Sequence, residues 1–553
     1  MPGTMKQTAT ALLICLALTG FDARAQTGAS QPLPEINRDI QHLLQTENLR
    51  IGDVEILAQE IILNLYRENG FGPYWTKTHD IRELLELIEE SPDHGLMPAD
   101  YGREQLRQTL SERERNPAAE IAAETDILLS ESLLRYGYHR RLGKVKASNL
   151  DPDINFKRHA FRDQPPAKTM HEILAAPSLH KFISMAAPSG PYYRRLQYWL
   201  GHYRDLAEAG GWPMVPDGPT LRKDDTDSRV AIIRARLAIS GDFSADTNTG
   251  TEVFDATLAR AVRKFQARHK LDADGVVGKQ TIAAMNVSVE HRIDQLRVSL
   301  ERLRWVNQEA ADTLVAVNIA GYRAAFFKHG ELVWSTRAMV GKTYRKTPVF
   351  RGDIAYMEFN PTWTIPPGIL RNDTLPAIKR DPNYLASKNI RVIDNKGKTV
   401  DPATVNWNQY SRGVPYTLRQ DPGPNNSLGT VKFIFPNEHF VFLHDTPHRE
   451  LFDRPERAFS SGCIRIENPL RLAELLLDNP AQNSMSDLRA IVDSRKTQRI
   501  NVRPKVPVII TYLTASIDLD GNVMFLKDIY NRDQKVLDAL NGRVVIVPPE
   551  SAP

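Results

Sequence analysis

Cysteine is nearly absent from this chain: two stand in 553 residues, Cys15 and Cys463. Cys15 lies in the apolar run Ala11–Leu18, preceded by Lys6 and followed by Ala23-Arg24-Ala25. That is the small-x-small pattern of a signal-peptidase site, so residues 1–25 are expected to be a leader removed with Cys15 inside it. Ile14 in front of Cys15 fits a lipoprotein signal poorly, and no lipidation is expected. One thiol would then remain, which excludes an internal disulfide. Scattered histidines without ligand spacing argue against zinc as well. A lone thiol in an oxidising compartment is more often kept for reactivity than for packing.

Two other shortages narrow the field. The formal charge is only +4, too little to make non-specific nucleic-acid binding a good default. No later apolar run approaches the ~20 residues that span a bilayer, so an exported mature chain without a transmembrane segment is expected. The hydrophobic content of 41% and charged content of 25% are those of an ordinary globular protein. The length suggests about three or four domains.

What is present falls into blocks. After a polar lead-in to about residue 50, helical periodicity takes over. Asp53 can cap a helix with Val54, Leu57, Ala58, Ile61 and Leu65 on one face, Asp80 opens a second, and a third runs from Glu124 to Leu142. Residues 26–220 read as a helical scaffold domain without an acid–base constellation. Trp212–Pro219 has four breakers in eight positions and reads as a linker. Within 221–290, a helix at Val230–Leu237 precedes one capped by Asp255, with Leu258, Ala261, Val262 and Phe265 at helical spacing. The text Ala261-Val262-Arg263-Lys264-Phe265-Gln266, the Asp274–Gly278 turn and Thr281-Ile282 resemble the three-helix peptidoglycan-binding domain of wall enzymes. Periodicity by itself supports only a small helical bundle.

From residue 291 to 553 the composition shifts to strands, after a connecting helix at His291–Trp305. Thr313–Ile319, a hairpin around His329-Gly330, Ala355–Asn360, Val431–Phe435, Phe440–His444, and the pair flanking Asp520-Gly521 are the candidates. The rhythm breaks between 366 and 428, and so long an insertion in a β domain suggests a substrate lid. The expected fold class is multidomain α+β, with a mainly-β catalytic domain.

The chemistry concentrates in Val441–Pro469. Alternation places His444 with Phe442 and Phe440 on one strand face, and Cys463 with Arg465 on another, sending Ile464 and Ile466 to the core. If the two strands pair, a general base, a thiol and a guanidinium converge. Nearby His⁺ and Arg⁺ would populate the thiolate, and Gly462 would allow a tight turn that leaves N–H groups free for an oxyanion. Each residue taken singly could be core; the one thiol expected after leader removal favours nucleophilic catalysis.

This text resembles the L,D-transpeptidase signature, a histidine followed by a Ser/Thr-x-Gly-Cys-Val/Ile-Arg block. His444-Asp445-Thr446-Pro447, Leu451-Phe452, Asn360–Pro366, Pro422–Asn425, Val431–Asn437 and Asp528–Asp533 match a large periplasmic subfamily of Gram-negative bacteria. Smaller relatives carry a histidine where Ser461 stands. The resemblance implies that Cys463 is the nucleophile, His444 the general base, Ser461 the source of a backbone carbonyl that orients the histidine, and Gly462 the oxyanion turn. Arg465, Trp363 and Phe442 would bind substrate. It also implies 3→3 cross-linking of peptidoglycan stem peptides through a thioester, with release of D-alanine and with no metal or cofactor. Periplasmic location, carbapenem sensitivity and wall-synthesis enzymes as partners are further implications. The rivals are an L,D-carboxypeptidase on the same fold, a non-catalytic wall-binding scaffold, and a papain-like peptidase. The last is disfavoured because its cysteine precedes its histidine.

Overall fold

A computed structural model describes residues 33–158, 166–244, 251–307, 309–479 and 481–544. The expected leader and Cys15 lie outside the described residues. The N-terminal region is built around Ala119–Leu142, a 24-residue helix buried on most of its faces. Helices Gln59–Glu68 and Thr78–Glu89 pack on it over a core that includes Ile62, Leu84, Leu128 and Tyr136. The helix expected from Asp53 begins later. Arg50–Ile51 and Val54–Glu55 pair as a two-stranded hairpin with Gly52 at φ +54°, because Gly52-Asp53 is a turn dipeptide that helical periodicity overlooks.

Helices Arg229–Ile239, Ala256–Arg268 and Lys279–Met285 form a small bundle over Phe254, Phe265 and Ile282. The Asp255 side chain accepts from Leu258 N–H, as its capping position requires. The breaker-rich stretch before this bundle is no free tether. Val215 is buried in the bundle's core, and the Arg236 guanidinium lies 3.8 Å over the Trp212 ring.

Helix Val289–Val306 ties the units together. Its Glu301 accepts from Val145 N–H (2.7 Å) and from Trp305 Nε1 (3.0 Å). Arg304, paired with Glu301, also donates to the His94 carbonyl (2.8 Å) and to Tyr193 Oη (2.9 Å). A buried ion pair with every neighbour occupied specifies one docking geometry, because shifting either element would strand a charge.

The remaining chain forms a nine-stranded sheet. Its strands are β1 (Leu314–Asn318), β2 (Arg323–Lys328), β3 (Glu331–Gly341), β4 (Phe350–Phe359), β5 (Val431–Ile434), β6 (Leu443–His444), β7 (Ala458–Ser460), β8 (Ile464–Ile466) and β9 (Gln498–Thr511). The order is β7-β3-β8-β6-β5-β4-β9-β1-β2, and β2 also pairs with the first half of β3, so the sheet closes on itself. Closure leaves few free edges, β7 being paired on β3 alone. The β2–β3 turn is the expected one, with His329 and Gly330 at φ +55° and +79°. Val315, Met357, Phe433, Leu443, Ile464 and Ile510 fill the interior.

Two expectations need correction. Phe440 is not in a strand: β6 begins at Leu443, and Phe440 sits at φ +53° with its side chain 84% exposed. The insertion is not strandless either. Trp363–Thr364, Ile390–Ile393, Thr399–Val400 and Thr417–Gln420 form a second, four-stranded sheet. It covers its own core of Ile365, Ile378, Val392 and Leu418. Its strands are short and separated by an Asn/Pro/Gly-rich run, which hid the pairing.

Candidate active site

The strands that carry the thiol and imidazole are neighbours. β6 and β8 run parallel, with Leu443 opposite Ile464 and His444 opposite Arg465. In-register partners share a face, so His444 and Arg465 lie on the side away from the core, while Leu443 and Ile464 are buried. Cys463 immediately precedes β8 in the turn and is half-buried. The Phe442 ring stands 5.4 Å from the His444 ring. The structure thus brings Cys463, His444, Arg465 and Phe442 together. Trp363 lies in the second sheet, opposite Gln420, and packs half-buried against the insertion's own core.

A hydroxyl network holds the turn. Gly462 adopts φ +119°, a region that side-chain-bearing residues rarely enter. Ser460 Oγ accepts from Gly462 N–H (3.1 Å) and donates to the Cys463 carbonyl (2.5 Å). Thr347 Oγ1 donates to the Gly462 carbonyl (2.8 Å) and accepts from Gly341 N–H (2.9 Å). Tyr530 Oη donates to the Gly341 carbonyl (2.5 Å). Gly341 admits no side chain, since a Cβ there would lie 2.1 Å from the Arg345 carbonyl oxygen. One sequence expectation changes accordingly. The Gly462 N–H is engaged, whereas those of Ser461 and Cys463 have no acceptor among the described residues.

Ser461 is exposed, and its hydroxyl accepts from Arg345 Nη1 (2.9 Å). The same Arg345 nitrogen reaches Asp373 of the insertion at 2.7 Å. The carbonyl that His444 Nδ1 meets is that of Asp445 (2.5 Å), not that of Ser461. The chain turns at the end of β6, which folds the next residue's carbonyl back onto the ring. A carbonyl can only accept, so Nδ1 carries the proton and, in the neutral ring, Nε2 holds the lone pair.

Electrostatics also depart from the sequence expectation. Burial, reinforced by the Arg465 and Lys432 cations, lowers the His444 pKa to about 3, although the Asp445 and Leu428 carbonyls pull it back up. The imidazole is therefore neutral at rest. Burial pushes the Cys463 thiol up, while the Phe442 backbone, Lys432 and Arg465 pull it down with smaller effect. No imidazolium–thiolate pair is set up in this resting geometry, because desolvation outweighs the attraction of the cations. The thiol instead points to the Phe440 carbonyl oxygen at 3.7 Å.

Lys432 is a member that the sequence reading missed. It lies opposite His444 across β5 and β6, and its Nζ is 4.2 Å from the centre of the Phe442 ring. Glu358 on β4 faces it at 3.9 Å. Only register brings Lys432 to His444, so the signal lay in pairing rather than in a motif. Arg465 has no carboxylate partner among the described residues, and its Nε is buried without an acceptor. Among the described residues no cluster of His, Cys, Asp or Glu could hold a metal ion.

Comparison with known proteins agrees with this architecture. Residues 312–510 match the model of the L,D-transpeptidase catalytic domain, 60–200 match that of a scaffold domain, and 226–285 match one described as "Putative peptidoglycan binding domain". A Haemophilus influenzae protein named "Putative L,D-transpeptidase" is 35% identical over 263 residues, 47% of this chain and 53% of that protein. The Mycobacterium tuberculosis N-acetylmuramoyl-L-alanine amidase CwlM is 39% identical over 80 residues, 13% of this chain and 20% of its own length. The chain thus spans about half the length of the first relative and less of the second. Of solved structures, an L,D-transpeptidase from Stackebrandtia nassauensis is 12% identical over 52% of this chain and 96% of its own, with a TM-score of 0.20. Residues 312–510, 60–200 and 226–285 are thus similar to an L,D-transpeptidase catalytic domain, a scaffold domain and a peptidoglycan-binding domain respectively.

Proposed function

We propose that this protein is a peptidoglycan L,D-transpeptidase that joins stem peptides by 3→3 cross-links outside the cytoplasm. The observation that carries the reading is the convergence of Cys463, His444 and two cations on one sheet face, inside the domain that matches the family. Substrate entry displaces the thiol from the Phe440 carbonyl. His444 Nε2 then takes the proton as sulfur attacks the carbonyl between the third and fourth residues of a donor tetrapeptide. Lys432 and Arg465 stabilise the sulfur's developing charge, and the Cys463 N–H meets the oxyanion. The C–N bond breaks, the histidine returns its proton to the departing D-alanine amine, and a thioester remains. An acceptor stem's side-chain amine, deprotonated by His444, attacks the thioester and releases the thiol. Arg465 receives a substrate carboxylate, Phe442 lines the donor channel, and the 366–428 insertion acts as the lid.

The test is incubation with disaccharide tetrapeptide, read by mass spectrometry. Dimers lacking one D-alanine, absent with Cys463→Ala, are expected. Tripeptide without dimers would turn the reading to a carboxypeptidase, and no turnover would leave a wall-binding scaffold. A carbapenem should add once, at Cys463; an unmodified thiol would sink the thioester step.

A further inference from the structure

The carbonyl to which the thiol points belongs to the most exposed of the large hydrophobic residues described. Phe440 is an aromatic side chain, 84% exposed, on a backbone at φ +53°. Exposure leaves a large apolar ring in water, and left-handed backbone is a true outlier for a bulky residue. Neither favours the fold, so something must impose the conformation. Asn437 does. Its side-chain nitrogen donates to the Phe435 and Val441 carbonyls (2.6 and 2.7 Å), and its oxygen accepts from Val441 N–H (3.1 Å). This clamp closes the 435–441 loop on both sides of Phe440. His439 is anchored against the Phe350 ring at 4.8 Å. The loop is therefore fixed, and Phe440 is held out of the core.

Its position gives that exposure a use. The Phe440 carbonyl lies 3.7 Å from Cys463 Sγ, so whatever is acylated on that sulfur must occupy space next to this residue. We infer that Phe440 is a specificity-determining residue, whose exposed ring packs against the alkyl portion of the acyl donor beside the scissile carbonyl. The inference rests on the transferase reading above and adds the residue that holds the donor. Desolvating one face of the ring would tighten donor binding without touching the proton transfers, which belong to His444. A donor contact of this kind acts on capture more than on turnover.

Three variants test it in the full chain: Phe440→Asn, Phe440→Leu and, as control, Cys463→Ala. Asparagine tolerates left-handed backbone, so Phe440→Asn should raise the midpoint of thermal unfolding while it raises the donor KM about tenfold. Its kcat and its rate of Cys463 alkylation by iodoacetamide should stay within about twofold of wild type. Phe440→Leu, which keeps an apolar surface, should recover most of the donor affinity. Unchanged donor KM in Phe440→Asn overturns the inference and leaves the transferase intact. A parallel fall in iodoacetamide reactivity also overturns it, since the ring would then be supporting the thiol rather than holding donor. Failure of the wild-type protein to turn over stem peptide overturns the transferase reading, and this one with it.

Discussion

At the scale of single residues, the resting site is a neutral thiol beside a neutral imidazole. Cys463 is raised by burial and His444 is held at about 3. The rate of Cys463 alkylation by iodoacetamide should therefore climb with pH into the alkaline range. An ion pair of the kind expected from the sequence would give a flat, fast rate from about pH 4 to 8 instead. Adduct formation followed by mass spectrometry across pH 5–10 separates the two. Lys432 is the second residue-scale prediction. Its cation favours the thiolate, so Lys432→Met should slow alkylation about three- to tenfold at fixed pH and move the profile to higher pH. Lys432→Arg should restore most of the rate. An unmoved profile would show that Lys432 serves only to pack on Phe442.

At the scale of elements, the nucleophile turn depends on strands that do not contain it. Thr347, between β3 and β4, is fully buried and satisfies one group on each of two neighbouring segments, the Gly341 N–H and the Gly462 carbonyl. Thr347→Val keeps the shape and leaves both groups without a partner, at a cost of about 1–3 kcal/mol each. The expected outcome is a lower denaturation midpoint and a fall in kcat larger than any change in KM, because the turn loses its register. A kcat loss without destabilisation would place the threonine at the substrate instead. The insertion shows a similar coupling: Arg345 touches both Asp373 of the insertion and Ser461 of the turn. The second sheet and the nucleophile therefore share one side chain.

At the scale of the whole molecule, four histidines among the described residues, three buried and His94 half-buried, bear on the response to acid. His94, His139, His269 and His444 all titrate below their ordinary value. Burial is the first cause in each, and cations add to it: Arg140 at His94, Lys144 at His139, Arg268 at His269 and Arg465 at His444. Below about pH 6.5 the unfolded chain takes up these protons and the folded chain does not. Stability must then fall as pH falls, by up to about 1.4 kcal/mol per pH unit for each histidine, in a window that for His444 extends down to about 3. The raised carboxyls of Asp100 and Asp126 oppose this, since they bind protons more readily when folded. Glu124 is raised by burial as well, but the lowered carboxyls of Glu83 and Asp255 side with the histidines, and the balance is a net loss. Urea midpoints measured between pH 7 and 4.5 should decrease, and His444→Gln should flatten the slope; a midpoint that rises on acidification would contradict the burial of these rings.

The sequence by itself determined the patterns that repeat along the chain. Cys463-Ile464-Arg465-Ile466 had to alternate, Asp255 had to cap, and His329-Gly330 had to turn, because each follows from contacts a few residues apart. Long-range pairing decided the rest. Lys432 reaches His444 only because β5 and β6 are in register, and Asp445 displaced Ser461 as the histidine's carbonyl because of how the chain turns after β6. Phe440 left its expected strand because Asn437 clamps the loop on either side of it. The charge state of the thiol was beyond the sequence for the same reason. It depends on how much water and how many cations the folded chain leaves around sulfur, and that balance exists only once the sheet has closed.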